Sequence, residues 1–398
     1  MRRLDFKVQG FLLSGVSAGI KKDGKRDLGL IYSEVPARVA GLFTTNKVKA
    51  APVQLDMARI KKGLCQAIVV NSGNANACTG RQGLRDAKRV SLLIAKQLGI
   101  DERLVFPSST GVIGTPLPVE KIEGGIPELM NNLSAEGWMK TVEAMMTTDT
   151  FPKIEGATCR IKGKQVKLCG MVKGAGMIRP DLATMLSFLI TDANIKASLL
   201  QQMLEKAVEV SYNRITIDGE TSTNDTVLLL ANGKAGHPIL NRMDRDGEVF
   251  QSMLLKVCQN LAESVVKDGE GATKLIEILI QGARNKEDAK QAAYAIAHSP
   301  LVKTAFFGED ANWGRILCAL GYSGVQINPN RIDLFFDKVP IVKNGIGVGS
   351  KLEEKASQIL KKKSFRVIVD LHQGKSQFSV LTTDLSIDYV KINASYRS

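Results

Sequence analysis

The sequence predicts an α/β fold, and two observations carry the prediction. Short apolar runs closed by Gly, Asn or Ser recur along the chain, and stretches with apolar residues at helical spacing lie between them. Size agrees with this: 398 residues are enough for two domains of ordinary size, and 44% apolar with 24% charged residues is an ordinary globular balance.

In chain order, residues 11–20, 28–32 and 40–43 read as strands punctuated by Gly turns. Residues 67–70 form a brief buried strand ending in Asn71-Ser-Gly-Asn-Ala-Asn76, a composition suited either to a functional strand end or to a turn plus a helix cap. Leu84, Ala87, Val90, Ile94 and Leu98 share one helical face, and Gly99 stops that helix. Pro107-Ser-Ser-Thr110-Gly111-Val-Ile-Gly114 sets a hydroxyl donor beside a glycine N–H, the pair an oxyanion hole requires, although the local pattern is that of a turn. Thr147-Thr-Asp-Thr150 before Pro152 is a polar strand entry, suited to a substrate carboxylate or to capping. Strands follow at 156–161 and 165–168.

Beyond the middle of the chain, 196–210, 248–266 and 287–298 have helical spacing, and 213–230 reads as a hairpin. Glu270 lies between Gly269 and Gly271, where it can reach a ligand ammonium or remain a solvated loop carboxylate. The segment 307–315 is a polar loop carrying Trp313, and Gly345-Ile-Gly-Val-Gly349 departs from a dinucleotide-binding pattern. Strands at 275–280, 365–370, 377–382 and 387–392 complete the reading.

The central stretch, Lys173-Gly-Ala-Gly-Met177-Ile-Arg-Pro180-Asp-Leu-Ala183-Thr184, runs from a glycine turn through a Pro-Asp corner into a buried strand at 185–190. Thr184 therefore stands where a constrained loop meets a rigid element. A hydroxyl so placed can attack the carbonyl of its own preceding residue, as self-cleaving N-terminal-nucleophile enzymes do, and the α-amine set free is a base with a pKa of about 8. By local pattern alone the stretch also reads as a loop entering a strand.

Composition narrows the function classes. Six cysteines without a CxxC pair and three scattered histidines make a disulfide framework or a zinc site improbable. Residues 1–183 hold 28 Lys+Arg against 16 Asp+Glu and residues 184–398 hold 26 against 24, so most of the net +14 falls before Thr184. The basic residues are dispersed and aromatics are 5%, which favours steering of anionic substrates over nucleic-acid binding. No apolar run is long enough to span a membrane and the N-terminus lacks a cleavage signal, so a soluble cytoplasmic protein is expected.

Nine stretches, taken together, resemble one family. They are Asn71-Ser-Gly-Asn-Ala-Asn76, Ser109-Thr-Gly-Val-Ile-Gly114, Thr147-Thr-Asp-Thr150, Lys173-Gly-Ala-Gly-Met177, Ala183-Thr-Met-Leu186, Arg214-Ile-Thr-Ile-Asp-Gly-Glu-Thr-Ser-Thr-Asn224, Asp268-Gly-Glu-Gly-Ala-Thr-Lys274, Asn312-Trp-Gly-Arg315 and the tail from Asn393 to Ser398. Each is a weak signal, but in this order they resemble the ornithine acetyltransferases, or ArgJ proteins, of arginine biosynthesis over essentially the full length. Residues 178–182 depart from the family pattern by placing Arg179 and Asp181 beside the junction.

The resemblance implies a self-cleaving, N-terminal-nucleophile-like layered α/β fold, cut between Ala183 and Thr184 into an α subunit (1–183) and a β subunit (184–398) that assemble as a heterotetramer. It implies Thr184 as nucleophile, Thr110 and Gly111 as the oxyanion hole, and Thr150, Lys173, Thr184, Glu270, Asn393 and Ser398 as substrate-binding positions. The implied reaction passes the acetyl group of N-acetylornithine to glutamate in two ping-pong steps. No metal or redox cofactor is implied, and acetyl-CoA is a further candidate donor. An aminopeptidase or amidase on the same scaffold is the alternative.

Overall fold

Strands whose side chains are apolar on both sides must be covered on both faces, and this chain covers its main sheet with helices drawn from the intervening segments. The architecture is that of a computed structural model describing residues 7–179 and 185–395. Ala183, Thr184 and Ser398 lie outside the described residues.

The first sheet contains β1 (Phe11–Val16), β2 (Leu28–Phe43), β3 (Leu64–Asn74), β4 (Val105–Val112), β5 (Lys153–Ile161), β6 (Lys164–Lys173), β7 (Leu186–Thr191) and β8 (Thr226–Ala231). Its order is β4-β3-β2-β8-β7-β6-β5, with β1 paired to β2. The β3–β4 and β7–β8 pairs are parallel and the rest antiparallel. Its helices are α1 (Ala51–Arg59), α2 (Gly80–Leu98), α3 (Val119–Asn131), α4 (Trp138–Met145), α5 (Ala197–Glu209) and α6 (Arg245–Lys267).

Every residue of β7 and β8 is buried, and alternate side chains enter different cores. Leu189, Val227 and Leu229 pack with α5 and α6 on one face, through Leu200, Leu204, Leu254 and Leu261. Phe188, Ile190, Leu228 and Leu230 face the other way and join Val142 and Met145 of α4. Over β2 and β3, Val90 and Ile94 of α2 with Ile122 and Ile126 of α3 cover Leu30 and Val69. The layered α/β expectation is met.

The second sheet, in the order β12-β11-β10-β13-β9-β14, contains β9 (Leu275–Ala283), β10 (Asp333–Phe336), β11 (Val339–Lys343), β12 (Ile346–Gly347), β13 (Ser364–Asp370) and β14 (Ser376–Thr383). It has its own core with α7 (Lys286–His298), α8 (Pro300–Phe307), α9 (Trp313–Gly321) and α10 (Ser350–Leu360), in which Phe306, Phe336 and Phe365 meet edge-to-face. The last element is α11 (Ile387–Ser395). Among the described residues no helix is long and apolar enough to cross a membrane.

Several local expectations are corrected. The segment 387–392 is helical rather than a strand: Ser386 Oγ accepts the Tyr389 N–H at 3.3 Å, capping a first turn that places Ile387 and Val390 on one side. The segment 107–112 lies within β4 rather than in a turn, because it pairs in register with β3. The hairpin at 213–230 does not form, since Ile215 bridges Leu381 and β8 pairs with β2 and β7, partners remote in sequence. The separate strands at 28–32 and 40–43 are one strand with an irregularity between Tyr32 and Ala37. The polar loop at 307–315 shrinks to 308–312, because Asn312 Oδ1 caps α9 at the Arg315 N–H and takes Trp313 into the helix.

Phe188 is fully buried in the central strand β7. Phe188→Ala leaves a cavity under α4 and lowers stability by about 3–5 kcal/mol, read as a lower urea midpoint at unchanged slope.

Candidate active site

Two parallel strand ends form one wall of a cleft. Ser72 faces Thr110 and Gly73 faces Gly111 where β3 and β4 finish. Gly111 has φ +129° and Gly73 φ +93°, and a Cβ on Gly111 would stand 2.4 Å from the Gly73 carbonyl carbon. Neither backbone can yield, so glycine is required for this approach. The asparagines here fasten main chain. Asn71 Nδ2 donates to Asn74 O at 2.9 Å and its Oδ1 accepts from Ser109 Oγ at 2.6 Å. Asn224, from the turn before β8, donates to Ala75 O at 2.6 Å and Ser109 O at 2.8 Å. Both strand ends are thus stapled to a third segment. Thr110 lines the cleft, and among the described residues its hydroxyl makes no hydrogen bond.

The floor is electrostatic. Lys173 ends β6, 9% exposed, and its burial lowers its pKa from that of an ordinary lysine, opposed first by the carboxylate of Asp149. Asp149 is itself buried; burial works against its ionisation, but Lys173 and Lys153 together hold its pKa below the usual value. Asp149 Oδ1 accepts from Lys153 Nζ at 2.7 Å and from Gly174 N at 2.9 Å. Lys153 Nζ also donates to Asp268, whose carboxylate accepts the N–H and hydroxyl of Thr150. Asp225 precedes β8 beside the start of β7, where Thr226 N donates to Met185 O at 2.9 Å. Burial raises its carboxyl well above the usual range, opposed first by a hydrogen bond with the Ser222 side chain and then by Lys173.

The opposite wall is a strained turn. Ala175 has φ +94° and Met177 φ +58°, each costing about 1–3 kcal/mol for a residue with a Cβ. Between them Gly176 packs so tightly on Glu270 that a Cβ would lie 2.4 Å from Oε2. Glu270 N donates to Ala175 O at 3.0 Å. Asn393, on α11, donates to Glu270 Oε2 at 2.8 Å. Ser386 ties that helix down by donating to Gly271 O at 2.6 Å, and a Cβ on Gly271 would meet Tyr389 N at 2.4 Å.

Thr110, Gly111, Lys173, Glu270 and Asn393, from four separate segments, therefore line one cleft of about 100 Å³. Thr147 and Thr148 line it too, whereas Thr150 is exposed and engaged with Asp268 rather than lining it. Sequence reading gave no role to Lys153, Asp268, Ser222 or Asn224. Spacing held no signal for the first two, which are 115 residues apart and meet only in the fold. Before the junction Met177 lines this cleft, and after it Met185 O accepts the Thr226 N–H at the start of β8.

The sequence pattern of the ArgJ family matches residues 12–398. The chain belongs to the ArgJ family. The arginine biosynthesis bifunctional protein ArgJ of Geobacter sulfurreducens is 52% identical over 391 residues, covering 98% of this chain and all (100%) of that protein. The ArgJ of Syntrophotalea carbinolica is 53% identical over 392 residues, with the same coverages of 98% and 100%. Among solved structures, an ArgJ from Bacillus halodurans is similar at 41% identity over 52% of this chain and 96% of that one, with TM-score 0.49. An ornithine acetyltransferase complexed with ornithine, from Mycobacterium tuberculosis, aligns at 35% identity over 46% of this chain and 98% of that one, with TM-score 0.41.

In this ArgJ chain the buried Lys173 lines the cleft, where its ammonium is suited to a substrate carboxylate. A lysine is cationic below its pKa, and burial lowers that pKa, so the charge is lost on the alkaline side earlier than the usual 10.5. KM for an amino-acid substrate rises through that range. Lys173→Arg, which stays charged, flattens the rise while raising KM at neutral pH, as a pH series of initial rates will record.

Proposed function

We propose that this chain moves the acetyl group of N2-acetyl-L-ornithine to L-glutamate through an acetyl ester on Thr184, giving L-ornithine and N-acetyl-L-glutamate, and that it first cuts itself before Thr184. The observation carrying this reading is the convergence of Thr110, Gly111, Lys173, Glu270 and Asn393 on one cleft, which Met177 of the turn before the junction also lines.

In the cut, Thr184 Oγ adds to the Ala183 carbonyl carbon, the peptide C–N bond breaks, and the hydroxyl proton ends on the departing nitrogen. Water then hydrolyses the ester, leaving an Ala183 carboxylate and a free Thr184 α-amine. With a pKa of about 8, that amine is the base for the same hydroxyl in acyl transfer. The oxyanion formed on the acetyl carbonyl lies against the Thr110 hydroxyl and the Gly111 N–H, donors worth about 3 kcal/mol each in comparable sites. Lys173 neutralises the substrate α-carboxylate and Glu270, steadied by Asn393, receives the side-chain ammonium of ornithine. Ornithine leaves, the glutamate amine attacks the ester, and the acetyl group departs on nitrogen.

Thr150 and Ser398 complete the substrate-binding set. The scheme calls for no metal or redox cofactor, and acetyl-CoA is the second candidate donor. The cut chains form a cytoplasmic heterotetramer of two α (1–183) and two β (184–398) subunits acting on small molecules.

Incubation with acetylornithine and glutamate, followed by quantification of both products, checks the reading. Equimolar ornithine and acetylglutamate are expected, and Thr184→Ala abolishes both. Free acetate in place of acetylglutamate would mean that water is the acceptor and would identify an amidase or aminopeptidase instead.

A further inference from the structure

The turn at 175–178 holds two non-glycine residues in the left-handed region, and something must hold it there. Much of the holding comes from one side chain. Asp218 accepts the Met177 N–H on Oδ2 at 2.7 Å and the Ile178 N–H on Oδ1 at 2.9 Å. Successive amide protons are thus gripped by the two oxygens of one carboxylate, an arrangement that a carboxamide, with one acceptor oxygen, cannot reproduce. Oδ1 also accepts the Glu220 N–H at 3.2 Å, which fixes the polar turn leading to Ser222, Thr223 and Asn224 of the cleft. The next link secures the other side of the same residue: Ile178 O accepts from Ile217 N at 2.9 Å and from Thr216 Oγ1 at 3.0 Å.

Thr184 lies six positions beyond Ile178, so this turn is the described hydrogen-bonded segment that most nearly precedes the junction in the sequence. We propose that Asp218 is a positioning residue for self-cleavage: its carboxylate clamps the strained turn so that the Ala183–Thr184 peptide is presented to the Thr184 hydroxyl. This rests on the self-cleavage reading above and deepens it. The clamp acts on the segment before the junction, so its effect falls on the cut. The same turn packs on Glu270 in the cleft wall, so acetyl transfer weakens as well, by less than the cut.

The experiment follows intact masses of the freshly purified full-length chain over time, for wild type, Thr184→Ala, Asp218→Asn and Asp218→Ala, with turnover measured per cleaved chain and the thermal midpoint recorded. Asp218→Asn is expected to slow cleavage about tenfold or more and Asp218→Ala further, with turnover per cleaved chain falling by a smaller factor. A role in folding alone would instead lower the midpoint and turnover with cleavage unaffected, and that result overturns the proposal. So does cleavage of Asp218→Asn at the wild-type rate. A wild-type chain that stays whole, or a Thr184→Ala chain that is still cut, overturns the self-cleavage reading itself. Should Asp218→Asn not fold, Thr216→Val removes one bond to Ile178 O at nearly constant shape; slower cleavage supports the clamp and an unchanged rate contradicts it.

Discussion

Two carboxylates and one ammonium buried together set the geometry of the cleft. Lys153, at the first position of β5, lies between Asp149 and Asp268, and all three side chains are essentially shut off from solvent. Asp149 reaches on to the Gly174 amide and Asp268 gathers the Thr150 amide and hydroxyl. The cluster thereby joins the Thr147–Thr150 segment, the end of β6 with Lys173, and the loop after α6 with Glu270. A buried cluster of this kind adds little net stability over an apolar core, but breaking one partner strands a charge at a cost of about 3–5 kcal/mol. Its service here is to make alternative arrangements of the three segments costly, leaving the groups that meet substrate in one relation.

The second constraint is close approach. Gly111 against Gly73, Gly176 against Glu270 and Gly271 against Tyr389 are contacts at which a single methyl group would collide with backbone or with a binding side chain. The first falls at one wall of the cleft and the other two at the opposite wall. Thr110 and Gly111, the Glu270 carboxylate and the helix carrying Asn393 are therefore brought to one cleft by the absence of side chains, while the asparagines around them hold the main chain in place.

Much of this was legible in the sequence. The long helices and the strands β7, β9 and β13 follow from apolar spacing, and the recurrence of short motifs in order pointed to the residues that line the cleft. What spacing could not give was partnership across distance. Lys153 and Asp268 look like surface charges in a linear reading, Asn71 and Asn76 fit a functional strand end as well as a turn, and only their bonds and those of Asn224 to backbone carbonyls show that these amides hold main chain. The segment 387–392 was misread because alternating apolar residues fit a strand, and only the Ser386 cap and the docking on Gly271 decide for a helix. The segment at Ile215 was misread for a related reason, since its partner Leu381 lies in the other sheet.

The central claim is that Thr184 carries the acetyl group. Its most direct test is the mass of the 184–398 chain after brief incubation with N-acetylornithine in the absence of glutamate. The account predicts a gain of one acetyl group, mapped to Thr184 and discharged when glutamate is added. A chain that turns over acetylornithine with glutamate yet never gains that mass, or gains it on another residue, would contradict it.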